Sequence, residues 1–324
     1  MTDRYARQMV LPEVGAAGQA RLGAASVLIA GAGGLGCAVL QYLCAAGVGR
    51  LLIVDHDRVE ESNLHRQPLY RMSDLGEPKA RAAAAAMRLL NPAVAVNDVV
   101  ERLTPANAAG WVSRADIIID AADSLALTYI LSDECLRQHK PLISASVLGL
   151  SGYVGAFCGG APSYRAVFPE MPRQAGSCAQ SGVLGTAVGV IGTLQAHMTL
   201  AILLELTPSP LGQLVSVDFR TLRFSGFAFS AAREPAGPTL RFIAPEEVGA
   251  TDLVIDLRSL TEAPVSPFQQ ALRIDVEEVE RAGLPAAAAS RVVLCCRSGI
   301  RAWRAAQSLR QAGHANLALI AFGD

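Results

Sequence analysis

The 324-residue chain lacks net charge, formally −1 at pH 7, which removes the electrostatic case for a nucleic-acid or anionic-membrane partner. The opening Met1-Thr2-Asp3-Arg4-Tyr5-Ala6-Arg7 has no apolar run of the kind a secretory signal needs, so a cytoplasmic protein is expected. Paired cysteines are missing too. The seven present are odd in number and scattered, as Cys37, Cys44, Cys135, Cys158, Cys178 and the adjacent Cys295-Cys296, which argues against a disulfide framework and leaves thiol chemistry as their only active role. One long apolar stretch, 182–206, carries Gln195, His197, Glu205 and several glycines, and therefore reads as a buried or subunit-interface helix rather than a bilayer span. There is no internal repeat, and low complexity is confined to alanines at 82–86 and 286–289.

The length leaves room for two cores. Residues 25–30 form an apolar run entering the glycine turn Gly31-Ala32-Gly33-Gly34-Leu35-Gly36, a helix is expected over 37–46 with Gly47 ending it, and 51–54 is a second buried strand. That order begins a parallel sheet with crossover helices. Further strands are expected at 94–100, 116–120 and 141–145, and an alanine-rich helix at 79–90, stopped by Asn91-Pro92. Beyond 151, antiparallel strands at 215–219 and 221–224 suggest a mixed extension of the same sheet. The fold class is thus α/β: a Rossmann-like domain over 1–230, a linker of Pro/Gly composition at 231–240, and a small α/β domain over 241–324 with strands at 253–256, 291–294 and 317–320 and a helix at 299–311.

The glycine turn suits a phosphate, because Gly31, Gly33 and Gly36 permit close approach and the helix begun at Gly34 offers unpaired N–H groups. Asp55, at the end of the second strand, is placed to accept ribose hydroxyls. So far an NAD-dependent oxidoreductase fits equally well. Behind Asp55, however, come Asn63, Arg66, Gln67 and Lys79, two amides and two cations. Hydride transfer develops no charge on phosphate and needs no such set, whereas attack on an α-phosphate with loss of pyrophosphate does. Asp120 and Asp123 follow the strand Ile117-Ile118-Ile119; either can hold the Mg²⁺ of ATP or cap the next helix, and capping is the expected role for Asp120.

Arg4-Tyr5-Ala6-Arg7-Gln8, the glycine turn, Val54-Asp55-His56-Asp57, the segment 62–67, Gly76-Glu77-Pro78-Lys79 and 120–124 together resemble the MoeB/ThiF family, bacterial relatives of ubiquitin-activating enzymes. The resemblance implies ATP and Mg²⁺ as the nucleotide and metal, and adenylation of the C-terminal glycine of a ubiquitin-like sulfur carrier ending in Gly-Gly. It implies that Gly34 and Asp55 bind nucleotide, that Asn63, Arg66 and Lys79 hold phosphates, and that Asp123 takes the metal. By the same resemblance Arg7 reaches the site of a partner subunit, which makes a homodimer the expected assembly. Cys178 occupies the place of a family cysteine in a loop over the site, which in some members bonds the carrier and in others is dispensable.

The chain departs from the family where many members bind a structural zinc through two Cys-x-x-Cys pairs. The first place here reads Ser163-Tyr164-Arg165-Ala166, and no second pair follows Phe227, so no zinc is expected and packing alone is expected to hold that corner. In the last domain, Cys296-Arg297-Ser298-Gly299-Ile300-Arg301 resembles the active loop of rhodanese sulfurtransferases, a shortened version lacking their Gly-His-Ile-Pro-Gly-Ala segment. A cysteine at a strand end, facing helix N–H groups and two arginines, is expected to be stabilised as thiolate or persulfide, making Cys296 a candidate for sulfur delivery. A cysteine desulfurase is then a candidate sulfur donor. A carrier-binding scaffold without chemistry of its own is the remaining alternative.

Overall fold

The computed structural model describes residues 3–172, 182–284 and 290–323. The first region runs α1 (Ala6–Met9), α2 (Gly15–Ala24), β1 (Ser26–Ala30), α3 (Gly34–Ala46), β2 (Arg50–Val54), α4 (Lys79–Leu90), β3 (Ala95–Val99), α5 (Pro105–Val112), β4 (Ile117–Asp120) and α6 (Leu125–Arg137). It continues with β5 (Pro141–Leu148), β6 (Ser151–Cys158), α7 (Tyr164–Val167), α8 (Gly185–Leu203), β7 (Gln213–Asp218) and β8 (Arg223–Ala228). These strands make one eight-stranded sheet in the order β3-β2-β1-β4-β5-β6-β7-β8, parallel from β3 to β5 and antiparallel beyond. The Rossmann-like sheet with a mixed extension is therefore present. Strand order reverses between β1 and β4, and the crevice outside the carboxyl ends at such a reversal is where open α/β sheets bind ligands.

Alternation along β1 divides the core in two. Val27 and Ile29 face one side, packed with residues of α3, α4 and α8, while Leu28 and Ala30 face the other with Tyr129 and Leu131 of α6. Helix α8 is long and apolar enough to cross a membrane by length and composition, yet it lies against the sheet: Gln195 at its centre is fully buried and its Nε2 donates to the carbonyls of Asp120 at 2.8 Å and Ile143 at 3.3 Å.

The remaining elements are β9 (Arg241–Phe242), β10 (Leu253–Asp256), β11 (Leu272–Arg273), α9 (Val276–Ala282), β12 (Val292–Cys296), α10 (Ile300–Gln311) and β13 (Leu317–Ala321). They form a second, wholly parallel sheet in the order β11-β10-β12-β13-β9. This small unit shares a core with the first sheet: Leu28, Ile118 and Tyr129 belong to the same apolar cluster as Leu294, Trp303 and Leu319. The stretch between the sheets is no free tether. Glu234 in it accepts from the backbone N and Oγ of Ser163 at 2.7 and 2.6 Å, and the Leu240 carbonyl accepts from Arg165 at 2.9 Å.

The corner around Ser163–Ala166, expected to be held by packing alone, has polar cross-links as well. Ser163 is tied to Glu234 as described, and Arg165, 4 % exposed, donates twice to Asp133 at 2.6 and 2.9 Å. Its guanidinium also lies 4.7 Å from the Tyr129 ring centroid and 5.5 Å from that of Trp303. A serine hydroxyl, a carboxylate and a guanidinium are not the thiolate set that a closed tetrahedral zinc site requires.

Candidate active site

β1 and β4 converge at their carboxyl ends, where Gly31 (φ +98°) turns the chain; a Cβ there would lie 2.9 Å from the Ala121 carbonyl oxygen. Gly36 is required one turn later, since a side chain on it would collide with the Gly31 carbonyl. Gly33 caps α3 without a side chain, leaving the first N–H groups of the helix for an anion. Asp55 is fixed beside them: one carboxylate oxygen accepts from Ala32 N at 2.7 Å and the other from Asp57 N at 2.7 Å. Burial pushes its pKa up despite these two bonds.

The segment after β2 folds back over the turn. Gly34 and Gly185 allow it to do so, because a Cβ at Gly34 would meet Val188 and the Arg66 carbonyl, and one at Gly185 the His65 carbonyl. Asn63 and Gln67 are buried there, with Gln67 Nε2 3.8 Å from the Cβ position of Gly33 and its Oε1 buried without a hydrogen-bond partner among the described residues. Arg66 is half-buried; its Nη1 donates to the Ser62 carbonyl at 3.1 Å and lies 2.9 Å from His65 Nε2.

Lys79, one of only two lysines in the chain, is the first residue of α4 and is 5 % exposed. Asp57 holds it at both ends, its backbone carbonyl accepting from Lys79 N at 2.8 Å and its Oδ2 from Lys79 Nζ at 2.9 Å. Partial burial raises the Asp57 pKa, but the hydrogen bond and charge of Lys79 outweigh it and hold the carboxyl below its usual range. Tyr70 braces the turn from beneath, its Oη donating to the Ala32 carbonyl at 2.6 Å. Neither Tyr70 nor the Lys79-holding role of Asp57 was read from the sequence; the Asp-x-Asp spacing after β2 is the signal that carries the second.

On the β4 side, the expectation that Asp120 caps α6 is corrected. Ser124 is the N-cap, its Oγ accepting from Leu127 N, while Asp120 is fully buried and accepts from Thr128 Oγ1 at 2.7 Å and Ser144 Oγ at 2.8 Å. Burial pushes its pKa up to about 6. Asp123 is exposed at the mouth of the crevice with no hydrogen bond among the described residues. A hard, uncommitted carboxylate oxygen fits a magnesium ion carried by a nucleotide; Asp120, buried and already accepting from two hydroxyls, does not.

Three predicted site residues are not part of this group. Arg7 is exposed on α1, at the opposite end of α3: neighbouring Gln8 donates to the Ala46 carbonyl at 2.9 Å, and the Tyr5 ring covers Gly47. Cys178 lies outside the described residues. Cys296 sits in the second sheet, where its Sγ accepts from Gly299 N at 3.1 Å and Ala302 N at 3.4 Å, so the expected N–H cradle exists. The expected thiolate does not follow from it. Cys296 is completely buried, and desolvation raises its pKa in spite of those two bonds and the charge of Arg301.

The ThiF family model matches residues 5–238. The chain belongs to the ThiF family. Among curated relatives it is 39% identical over 320 residues to the pig (Sus scrofa) adenylyltransferase and sulfurtransferase MOCS3, spanning 86% of this chain and 70% of that protein. It is 42% identical over 244 residues to the sulfur carrier protein adenylyltransferase of Thermus thermophilus, spanning 73% of this chain and 89% of that one. Among solved structures, E. coli MccB with ATP shares the fold at a TM-score of 0.61 and 21% identity, over 73% of this chain and 74% of that one. Within the matched residues lie the glycine turn, Asp55, Arg66 and Lys79.

Proposed function

We propose that this protein is an ATP-dependent adenylyltransferase acting on the C-terminal glycine of a ubiquitin-like sulfur carrier ending in Gly-Gly. A single observation carries the reading: Lys79 is a buried cation, parked on Asp57 beside a phosphate-binding turn, where a redox cofactor offers it no charge to meet. Similarity to relatives named as sulfur carrier adenylyltransferases supports the same substrate class.

In this reading the α3 N-terminus and Gly34 receive phosphate, Asp55 accepts from the ribose, and Asn63 and Gln67 line the floor. A carboxylate oxygen of the carrier attacks the α-phosphorus, the bond to the β-phosphate oxygen breaks, and acyl-adenylate and pyrophosphate result. Two anions must meet for this to occur. Arg66 and Lys79 supply the opposing charge, Lys79 moving from Asp57 to phosphate, and Asp123 would hold a magnesium ion, which would supply further positive charge to the phosphates. Arg7, too far from its own crevice, acts in that of a second copy, so the working form is a cytoplasmic homodimer. The activated carboxyl is then ready for conversion to a thiocarboxylate, with a cysteine desulfurase as the source of sulfur.

The test is ATP–pyrophosphate exchange with purified Gly-Gly carriers from the same cell. Exchange that requires both carrier and magnesium is expected; no exchange with any of them, together with tight binding of NAD instead of ATP, would overturn the proposal.

A further inference from the structure

Among the described residues, Arg102 bridges the second sheet and the segment that follows β2. Arg102, just beyond β3, donates from Nη1 to the carbonyl of Phe322, the residue following β13, at 2.8 Å. Its Nη2 is 2.8 Å from Nε2 of His56. A guanidinium has only donors, so Nε2 must be the acceptor and the imidazole proton sits on Nδ1. His56 lies between Asp55 and Asp57, and Asp57 is the residue that parks Lys79. The connection continues without a gap, because Asp57 N donates to Asp55 Oδ1 and Asp55 Oδ2 accepts from Ala32 of the glycine turn. Arg102 is also among the charges that hold the Asp57 carboxyl below its usual range, the smallest of those named beside Lys79.

The far anchor of this connection is rigid. Gly323 packs directly on the Arg102 guanidinium, leaving no space for a Cβ, and its N–H donates to the Arg297 carbonyl at 2.8 Å. The Phe322 ring is covered by Arg258, whose guanidinium carbon is 4.1 Å from the ring centroid. Arg258 is itself locked to the buried Asp256 by two bonds of 2.9 and 2.8 Å. The unit that carries these residues is held against the first sheet by Arg165 and by Gly299, which abuts Ala126 of α6.

We propose that Arg102 is a positioning residue for ATP, through which the docked C-terminal unit fixes the Asp55–Asp57 turn and so sets nucleotide affinity. The unit thereby serves the adenylation site by contact, independently of any sulfur chemistry at Cys296. This rests on the adenylation reading for the identity of the nucleotide.

The experiment is calorimetric titration of the full chain with ATP and magnesium, without carrier. Arg102→Ala is expected to raise the Kd for ATP about tenfold, and Arg102→Lys, which keeps the charge but gathers its donors on one nitrogen and so loses the fork, to recover part of the loss. Gly323→Ala displaces Arg102 from the other side, so it is expected to weaken ATP binding as well. Combined with Arg102→Ala it should add little, since both act through one contact. Melting curves are recorded for each variant, and Gly323→Ala carries the test if Arg102→Ala does not fold. An unchanged Kd in folded variants overturns this inference while leaving the adenylation reading intact. Absence of ATP binding by the parent chain overturns both, and fully additive effects of the two substitutions overturn the shared contact.

Discussion

At the scale of single residues, Asp120 is a carboxylate held in an environment that opposes its charge. Its carboxyl is pushed up to about 6 inside the fold by burial, against about 3.9 for an unfolded aspartate. In the interval between, the folded chain keeps a proton that the unfolded chain has lost. Stability therefore falls as pH rises from about 4 to about 6, and the cost, about 3 kcal/mol for some two units, is fully present above that window. Asp120→Asn retains an oxygen for Thr128 and Ser144 and has nothing to ionise. Urea unfolding across that range is expected to show the variant gaining about 3 kcal/mol on the parent between pH 4 and 7; a constant difference would remove Asp120 as the titrating group. The residues whose placement was most legible in the sequence were those fixed by position on the chain, such as Gly31, Asp55 and Lys79. The burial of Asp120 and Cys296 was not legible, because it depends on what packs over them: α6 and β5 in one case, α10 and the first domain in the other.

At the scale of elements, the α7 corner is cross-linked by polar side chains. Ser163 and Glu234 join the start of α7 to the stretch between the two sheets, and Arg165 adds a bond to Leu240 and contact with Trp303 of α10. Arg165→Ala leaves Asp133 half-sheltered without its bidentate partner and opens a gap under two aromatic rings. A loss of about 2–3 kcal/mol is expected from denaturant unfolding, the usual size for hydrogen bonds to a charged group. Chelators and added zinc are expected to leave the melting temperature of the parent unchanged; a drop on chelation would show a metal cross-link after all. Element type was readable where pattern and stop signals agree, as in α4, which runs from Lys79 to Leu90 and ends ahead of Asn91-Pro92. It was not readable for α2, whose Gly15, Gly18 and Gly23 dilute helical preference. The two-residue strands β9 and β11 are too short to carry any period; pairing with β13 and β10 defines them. Helix α5 was not read from the sequence, although Thr104 before Pro105, with Asn107 returning to the Thr104 N–H, is a start signal that apolar periodicity alone overlooks.

At the scale of the whole molecule, the proposed homodimer turns on the separation of Arg7 from its own crevice. Helix α3 has 13 residues, about 20 Å of helix, with the phosphate turn at its beginning and α1 at its end. An arginine there serves catalysis only by entering another copy, and in a two-fold dimer each crevice then takes Lys79 from one chain and Arg7 from the other. This arrangement has an arithmetic consequence. Arg7→Ala and Lys79→Ala dimers are each expected to lose ATP–pyrophosphate exchange by about 10²-fold or more, the scale of removing one donor from a developing charge. A mixed dimer, co-expressed and isolated through a different tag on each chain, has one crevice lacking both groups and one lacking neither. It is expected to regain about half of the parental rate. If both groups served the same chain, each crevice of the mixed dimer would lack one of them, and the rate would stay at the level of the single variants. Recovery thus reports the crossing of Arg7 between subunits and nothing about folding, because the same two substitutions are present in the inactive parents.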